Sequence, residues 1–448
     1  MLRRTSAGLA AALLLSFGCG RSGPPNVLLV VLDTVSAEHV GLELPELGHT
    51  PHLDQLAREG VSFRRAFSTA PWTQPALASL FTSRMPSSHG VVRIRHVLPE
   101  SAVTLAEQLR AAGYDTAGFV THRLLARKLG YAQGFSHWDE SHIRGHEGIT
   151  SKQVTDAALA WLEQRRGDAP FFLFVHYFDP HFVYQHHPAH DLTAGYAGPL
   201  RPGMDIWKLR EMREQLSSAD VEYLVGLYRE EIAFTDEQLG RLLGELRALG
   251  VEDETVVALV ADHGEEFMQR GWIGHTNSLY DELLRIPFVL RLPRVWEPRR
   301  EDVPVSILDL APTLLAAAGL APDAGAEGIS LVPYLGAGAP PVPAHDVFAE
   351  VSFTSPREDV RREETVFQTA LIRGDLKLVH DLAKRSFSLY DRRSDPGEQS
   401  DVAASHPEAE ALRGALSAWE AQRSGAPAAL LAPSAEELEQ LRALGYVQ

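Results

Sequence analysis

The sequence predicts an α/β protein with a large, mixed but mostly parallel sheet flanked by helices, and a small C-terminal antiparallel sheet. Nearly continuous apolar runs are typical of strands buried on both faces of a parallel sheet. Such runs occupy residues 26–33, 170–176 and 255–261. Stretches with apolar residues at helical spacing alternate with them, at 50–59, 104–112, 150–164 and 220–249. Alternation of strands and helices indicates a doubly wound layer structure.

The chain divides into a leader, a main domain and a C-terminal subdomain. We predict a signal peptide over residues 1–18, a short tether over 19–25 and the main domain over 26–340. The Ala/Gly/Pro-rich run 336–344 is a linker candidate. The subdomain, 341–448, holds short strands and ends in two predicted helices, at 407–422 and 434–444.

The leader has the composition of an export signal. Arg3 and Arg4 precede the apolar run 9–15, which is too short to span a membrane. Gly18 and Cys19 then resemble the site where bacterial lipoproteins receive their lipid, and an ordinary secretory signal is the alternative. We therefore predict an exported bacterial protein, facing the periplasm or the outer-membrane side and held to the membrane by a lipid on Cys19 alone. Cys19 is the single cysteine, so the mature body has no internal disulfide.

Composition excludes one class of partner. The chain has 42 basic and 59 acidic side chains, a formal charge of −17. Nucleic-acid-binding proteins usually carry a basic surface, so we expect no nucleic-acid partner. A small anionic substrate stays possible, because a bound metal ion can invert the local field.

Polar residues follow the buried runs where strands of a parallel sheet end. Asp33 ends the first run, His181 follows the second by a few residues, and Asp262 and His263 follow the third. Ligands of open α/β sheets bind beyond the carboxyl ends of the strands. Carboxylates with an imidazole are a plausible set of ligands for a divalent metal.

The stretch 71–90 carries a candidate nucleophile. Pro75 suits a first helical turn, and the apolar run 76–81 continues it as a buried helix, so Thr73 lies at a helix N-terminus. Free N–H groups and the helix dipole favour a bound anion there. The alternative is that Thr73 only caps the helix.

Many collinear segments resemble the sulfatase family of the alkaline-phosphatase superfamily. They include PNVLLVVLDT, the long segment from TPHLDQLAREG to MPSSHGV, FFLFVHYFDPHFVY, VALVADHGEEF and GHTNSLYDELLRIPFVLRLP. The resemblance implies that fold, and a catalytic domain over 26–340 that hydrolyses esters. It assigns one metal ion to Asp33, Asp262 and His263, with Thr73 completing the set.

The same resemblance implies roles for further side chains. His181 matches the histidine of the family's Pro-His element, and His275 stands where many sulfatases carry a Lys that contacts the anionic group. We expect both to bind the ester oxygens or protonate the leaving group. His122 lies near the family's substrate contacts, and Arg95 is a candidate to replace the missing Arg as an anion contact, with a solvated loop as the alternative. His176, with Asp179 and His181, could instead form part of a second metal set or line the pocket. One divalent ion is the prediction, Mn²⁺ or Zn²⁺ favoured by the nitrogen of His263, with Ca²⁺ or Mg²⁺ possible.

The sequence departs from the sulfatase pattern at the nucleophile. True sulfatases carry a Cys or Ser there that is oxidised to formylglycine, followed by an Arg; here the stretch reads Thr73-Gln74-Pro75-Ala76-Leu77. Thr34 and Ser36 replace a second Asp and another Arg of the family. Threonine cannot expel sulfate by collapsing to an aldehyde, whereas metal-bound threonines transfer phosphoryl groups in other branches of the superfamily. We therefore expect phosphate esters to be favoured over sulfate esters.

Three functions follow as alternatives. The first is a metal-dependent hydrolase of phosphoric or sulfuric esters, acting on a small anionic ester, a sulfated or phosphorylated glycan, or a lipid head group. The second is a transferase that moves a phospho-group to envelope lipids or glycans. The third is a non-catalytic relative that binds such glycans. Away from the site, we expect Glu230 and Glu231 on a solvated helix face, and the pair His186-His187 at the surface.

Overall fold

The computed structural model describes residues 23–143, 148–354, 365–423, 426–432, 434–435 and 438–439. The predicted signal peptide, Cys19 and most of the helix expected at 434–444 lie outside these residues. Among the helices described, none combines the length and apolar character needed to cross a membrane.

The strands are numbered in chain order and fall into four sheets. Their bounds are β1 Asn26–Leu32, β2 Val61–Phe63, β3 Ala66–Phe67, β4 Asp115–Phe119, β5 His137–Asp139, β6 Phe171–Tyr177, β7 Thr255–Ala261, β8 Glu266–Phe267, β9 Ile273–Gly274, β10 Arg285–Ile286, β11 Phe288–Arg291, β12 Arg299–Glu301, β13 Val305–Ser306, β14 Val347–Thr354, β15 Thr365–Arg373, β16 Leu376–Asp381 and β17 Ser386–Asp391.

The largest sheet has the order β12-β2-β11-β7-β1-β6-β4-β5. The five neighbours from β7 to β5 run parallel, while β11 is antiparallel to both β7 and β2. Strands β1, β6 and β7, the three apolar runs, lie side by side at its centre and are buried along their whole length. The predicted mixed, mostly parallel sheet is therefore confirmed.

Helices cover the faces of this sheet. Their bounds are α1 Pro51–Glu59, α2 Thr73–Thr82, α3 Pro86–His89, α4 Leu105–Ala111, α5 Ser151–Gln164, α6 Ile206–Met212, α7 Ser218–Ala248, α8 Asp281–Leu284, α9 Leu310–Ala317 and α10 Ala409–Gln422. Local chemistry sets several of the starts. Thr104 with Glu107 and Ser217 with Asp220 form reciprocal capping boxes at α4 and α7. The helices predicted at 50–59, 104–112, 150–164, 220–249 and 407–422 are confirmed to within about two residues at each end.

The small antiparallel sheet, β14-β15-β16-β17, follows the linker. Helix α10 packs on it through Leu412 and Leu416, which meet Leu371 and Leu378 in one apolar cluster. The chain then returns to the large domain, where residues 426–432 lie against the loop after α3: Ala428 N–H donates to the Gly90 carbonyl and Val97 N–H to the Ala429 carbonyl. The division at residue 341 stays a prediction.

Candidate active site

Neighbouring strands bring Asp33 and Asp262 to one sheet edge. Leu32 of β1 pairs with Ala261 of β7, so the residues that follow leave the sheet side by side. The Asp262 N–H donates to the Leu32 carbonyl, and the Asp33 N–H donates to the Tyr177 carbonyl at the end of β6. Both aspartates are completely buried. The geometry expected from the three apolar runs is therefore present.

The two carboxylates are only partly provided with donors. Oδ1 of Asp262 accepts from the N–H groups of Thr34 and His263, at 3.1 and 2.8 Å. Within the described part of the chain, Oδ2 of Asp262 and both oxygens of Asp33 have no hydrogen-bond partner. Burial raises the pKa of Asp33 well above its usual value, Asp262 and Glu265 add to this by repulsion, and the Thr73 hydroxyl opposes it. Buried carboxylates in this condition are stable as anions only beside a cation.

His263 completes one side of the cluster. Its Nδ1 donates to the Gly264 carbonyl at 2.9 Å, so its Nε2 presents a lone pair. That Nε2 lies 3.5 Å from Asp262 Oδ2, 3.8 Å from Asp33 Oδ1 and 3.3 Å from Thr73 Oγ1. Burial lowers the pKa of His263, which keeps the ring neutral and able to ligate a metal.

His176 is a ligand candidate that the sequence did not assign to this set. Its Nε2 lies 3.4 Å from Asp33 Oδ2, and neither ring nitrogen has a hydrogen-bond partner. Ligand atoms of Asp33, His176 and Asp262 all lie within 4.8 Å of one another. Burial, and then the neighbouring His263, lower the pKa of His176 to about 3, so the ring is neutral. His176 lies inside β6, opposite Val31, and the sequence offers it only as part of a second metal set or of the pocket lining.

These donors fit a divalent metal ion. Orphaned oxygens on two buried aspartates, with neutral imidazole nitrogens beside them, are the mixed O/N set that Zn²⁺ and Mn²⁺ accept. The fit rests on uncompensated negative charge in a dry site, which a cation would neutralise. The identity of the metal stays a prediction.

Thr73 is the first residue of α2, as the sequence predicts. Its hydroxyl is buried and lies 3.3 Å from His263 Nε2. The next residue, Gln74, accepts from the Arg95 N–H and donates to the His96 carbonyl, which fixes the start of the helix. The ten residues of α2 are all buried, so Thr73 is held on a rigid element.

Three further imidazoles adjoin the cluster. The His275 ring lies 4.6 Å from that of His263 and 4.9 Å from that of His181, between ring centroids. His122 lies 5.7 Å from His181 and 6.3 Å from His176 on the same basis. The structure thus brings His181, His275 and His122 together beside the aspartates. Their catalytic and substrate-binding roles stay predictions.

Arg95 has a different environment. It is 5% exposed; its Nε and Nη2 donate to the carbonyls of Leu431 and Ala432, at 2.9 Å each. These bonds tie the C-terminal segment to the large domain. Its role as a substrate contact stays a prediction, and these two bonds give no support to it.

Two other interpretations need correction. Asp179 accepts from the N–H groups of Thr150 and Ser151, so its carboxylate caps α5, and among the described residues it does not belong to the group formed by Asp33, His176 and Asp262. Glu230 and Glu231 do not face solvent: both are buried, because the segment after β6 folds over α7. They accept from His186 and His187, at 2.8 and 2.6 Å, which places His187 in the interior as well.

The chain belongs to the sulfatase family. The sulfatase family model matches residues 25–320, and the model for the C-terminal part of N-sulphoglucosamine sulphohydrolase matches residues 269–420. The family places the chain among the ester-bond hydrolases of the alkaline-phosphatase superfamily. Enzymes of this superfamily depend on a metal, in agreement with the donor set above.

Relatives are distant in sequence. The chain is 28% identical over 336 residues to an ulvan-active sulfatase of Formosa agariphila, covering 68% of this chain and 64% of the relative. It is 22% identical to an N-acetylglucosamine-6-O-sulfatase of Bacteroides thetaiotaomicron, covering 84% of this chain and 82% of the relative. The phosphonate monoester hydrolase of Agrobacterium radiobacter has the same fold, with a TM-score of 0.72, 24% identity and coverage of 89% and 96%.

Proposed function

We propose that this protein is a metal-dependent hydrolase of phosphoric or sulfuric esters that uses Thr73 as nucleophile and favours phosphate esters. The observation that carries the proposal is the position of Thr73 Oγ1. It begins a buried helix, 3.3 Å from His263 Nε2 and beside carboxylate oxygens that lack donors. A hydroxyl placed there can be activated by a cation, and helix N–H groups favour the anionic ester.

Asp33, Asp262 and His263 would hold one divalent ion, with Thr73 and His176 as further donors. When bound, the ion supplies a lowered pKa for the nucleophile and charge neutralisation for the ester. Nitrogen donors favour Mn²⁺ or Zn²⁺ over Ca²⁺ or Mg²⁺. The imidazoles of His263 and His176 are already neutral, and a bound cation would favour the anionic form of the two aspartates.

The protein's own side chains would carry the proton transfers of a two-step displacement. Thr73 gives up its proton to water, its Oγ1 bonds to phosphorus, and the bond from phosphorus to the leaving oxygen breaks. The leaving oxygen takes a proton from Nε2 of His275 in its imidazolium form, or from His181, and the imidazole regains that proton from solvent. Water then cleaves the phosphothreonine, which restores the hydroxyl and releases phosphate.

The preference for phosphate follows from the missing formylglycine. A threonine–sulfate ester has no aldehyde route for its own breakdown, so sulfate turnover would stall after the first step. Shared fold with a phosphonate hydrolase agrees with phosphorus chemistry but does not carry the argument. The named substrates of the relatives suggest an anionic ester on a glycan, and a lipid head group is the other source of the same chemistry.

One experiment tests substrate class and nucleophile together. Purified protein is assayed on aryl phosphate, aryl phosphodiester and aryl sulfate, each with Mn²⁺, Zn²⁺, Mg²⁺ or Ca²⁺. We expect turnover of a phosphate ester with Mn²⁺ or Zn²⁺, and its loss in Thr73→Ala with metal binding largely retained. Ser79→Ala, in the same helix, is the control for a lost hydroxyl.

Three outcomes would contradict the proposal. Faster hydrolysis of sulfate than of phosphate overturns the substrate class. Wild-type turnover by Thr73→Ala reduces Thr73 to a helix residue. Release of phosphate only when an acceptor alcohol is present, with the phospho-group on that alcohol, would make the protein a transferase.

We further propose that a lipid on Cys19 anchors the protein to a bacterial membrane, facing away from the cytoplasm. The support is the sequence alone: the apolar run 9–15 and the Gly18-Cys19 pair. Cys19→Ala should move the protein from the membrane fraction to the soluble exported fraction. A soluble wild type whose mature N-terminus is not Cys19 would contradict the anchor.

A further inference from the structure

We infer that Glu265 is a positioning residue that fixes the ring of His275, so that the Nε2 edge of that imidazole faces the ester. The inference rests on the proposed function for its catalytic meaning, but the ring orientation can be measured without any turnover. Glu265 follows the metal-ligand candidates on the chain and has no part in the metal set itself.

The contacts of Glu265 go to side chains. Its Oε1 accepts from Nδ1 of His275 at 2.9 Å, and its Oε2 accepts from the Tyr184 hydroxyl at 3.0 Å. Glu265 is completely buried, and Tyr184 and His275 are nearly so. A bond at Nδ1 selects the tautomer with hydrogen on that nitrogen, so the opposite edge of the ring carries the Nε2 lone pair.

The adjacent glutamate shows what a purely structural carboxylate does here. Glu266 is equally buried, but its Oε1 accepts from the backbone N–H groups of Arg270 and Trp272, and its Oε2 from the amide of Asn277. It therefore holds the turn between β8 and β9. Glu265 instead joins two side chains from distant segments, one of which adjoins the metal ligands.

Other contacts hold the backbone and the ring of His275 in the same orientation. Phe182 stacks on the imidazole, at 5.1 Å between ring centroids and 26° between planes. Arg210 Nε donates to the Ile273 carbonyl at 2.8 Å. Gly274 has φ +109°, and a Cβ there would lie 2.3 Å from Arg210 Nη2, so only glycine fits. The Thr276 N–H donates to the Pro71 carbonyl, which links this segment to the loop before Thr73.

These contacts give His275 an orientation fixed before any substrate arrives. Because a flexible imidazole must be ordered during the reaction, a locked one lowers the barrier through pre-organisation. Partners that orient a working group typically change activity 10- to 100-fold when removed. Glu265 is the one contact here that also selects the ring nitrogen presented.

The first arm of the test measures coupling. In Glu265→Gln we expect kcat/KM on the favoured aryl ester to fall by about 10- to 100-fold, with metal content unchanged. In a His275→Gln background, the same change should cost less than about twofold, because the ring that it positions is gone. Glu266→Gln is the matched control: it should lower stability while changing kcat/KM less than about threefold. Equal losses from Glu265→Gln in both backgrounds would overturn the inference.

The second arm needs no activity. In wild-type protein with ¹⁵N-labelled histidine, the signals that vanish in His275→Gln should report hydrogen on Nδ1 and none on Nε2 of the neutral ring. Glu265→Gln should shift the Nδ1 signal. Hydrogen on Nε2 of the neutral wild-type ring overturns the inference, even if Glu265→Gln fails to fold. Absence of turnover on every ester, with the expected tautomer, would reject the proposed function and leave the positioning intact.

Discussion

Two clusters of buried carboxylates solve the same electrostatic problem in opposite ways. Between the large domain and the small sheet, Lys377 Nζ lies 2.6 Å from both Asp281 Oδ1 and Glu398 Oε1, and Lys377 is completely buried. Asp33 and Asp262, which follow β1 and β7 at one edge of the large sheet, are also completely buried, but they have no Lys or Arg among their described contacts.

The pKa directions express this difference. Burial would raise the pKa of Asp281, but Lys377 and Arg392 beside it hold that pKa well below its usual range. No such cation offsets burial at Asp33, so its pKa rises instead. The comparison teaches that one cluster is neutralised by the chain itself and the other depends on an imported cation.

The largest effect should come from removing one of the metal-ligand candidates, Asp262. Asp262→Ala takes one of two carboxylates from the edge, and we expect loss of tightly bound metal and a fall in turnover on the order of 10³. Metal content after gel filtration, by mass spectrometry, is the measurement. Asp281→Ala is the control: this aspartate of the internal cluster has a 16% exposed side chain, and its loss should affect stability and leave the metal in place. Stoichiometric metal in Asp262→Ala would refute the assignment.

Removing the internal cation should have the converse effect. Lys377→Met leaves Glu398 buried without its cation and Asp281 with Arg392 alone, so the free energy of unfolding should fall by about 3–5 kcal/mol. Denaturant titration measures it, with metal content expected to be unchanged. Lys384→Met, which removes a mostly exposed lysine from the turn after β16, should leave the unfolding midpoint where it was. Equal effects of the two substitutions would mean that the buried cluster needs no cation.

Removing the metal should leave Asp33 and Asp262 without a neutralising cation and so lower the stability of the folded protein. At a free Mn²⁺ or Zn²⁺ concentration 100 times its dissociation constant, the native state gains about 2.7 kcal/mol over chelated protein. We expect a higher melting temperature with metal in wild type and in Lys377→Met, and no shift in Asp262→Ala. A metal-dependent shift that survives in Asp262→Ala would place the binding elsewhere.

The smallest effect concerns the pH dependence of the internal cluster. Burial and repulsion from Asp281 raise the pKa of Glu398 to about 7, although the neighbouring Lys377 acts to lower it. Because the folded-state pKa is raised, the folded chain keeps a proton on Glu398 at pH values where the unfolded chain has lost it. The stability that this proton contributes is complete below the unfolded pKa and is lost as pH rises through about 7.

Between pH 5 and pH 8, wild type should therefore lose about 1–2 kcal/mol relative to Glu398→Gln, whose side chain cannot ionise. Denaturant midpoints at both pH values measure the difference. An equal change in the denaturant midpoint of the two proteins between pH 5 and pH 8 would show that ionisation of Glu398 does not lower the stability of the folded state.

The positions of the aspartates, His263 and Thr73 could be predicted from the sequence because each depends on a local pattern. Asp33, Asp262 and His263 follow unbroken apolar runs, and Thr73 precedes a helix marked by Pro75, so strand and helix ends alone position them. The sequence offers His176 only for a second metal set or the pocket lining, because the residue lies inside a strand. It gives no role to Glu265, because that role depends on contacts with Tyr184 and His275.

The same limit explains the error at α7. Glu230 and Glu231 have the spacing of a solvated face, and only the folding of residues 184–193 over that face buries them. Helical periodicity reports which residues share a face, but not what covers it. Long-range contacts of this kind decide burial, and no single segment of the chain contains them.

The returning segment 426–432 bears on how the protein is made. Gln74, next to the nucleophile, bonds to residues 95 and 96, and Arg95 in turn bonds to Leu431, which is 336 residues later in the chain. Domains generally fold as units during synthesis. The sheet and α2 leave the ribosome long before residue 431, so this neighbourhood of the site can be fully secured only after segment 426–432 has been translated.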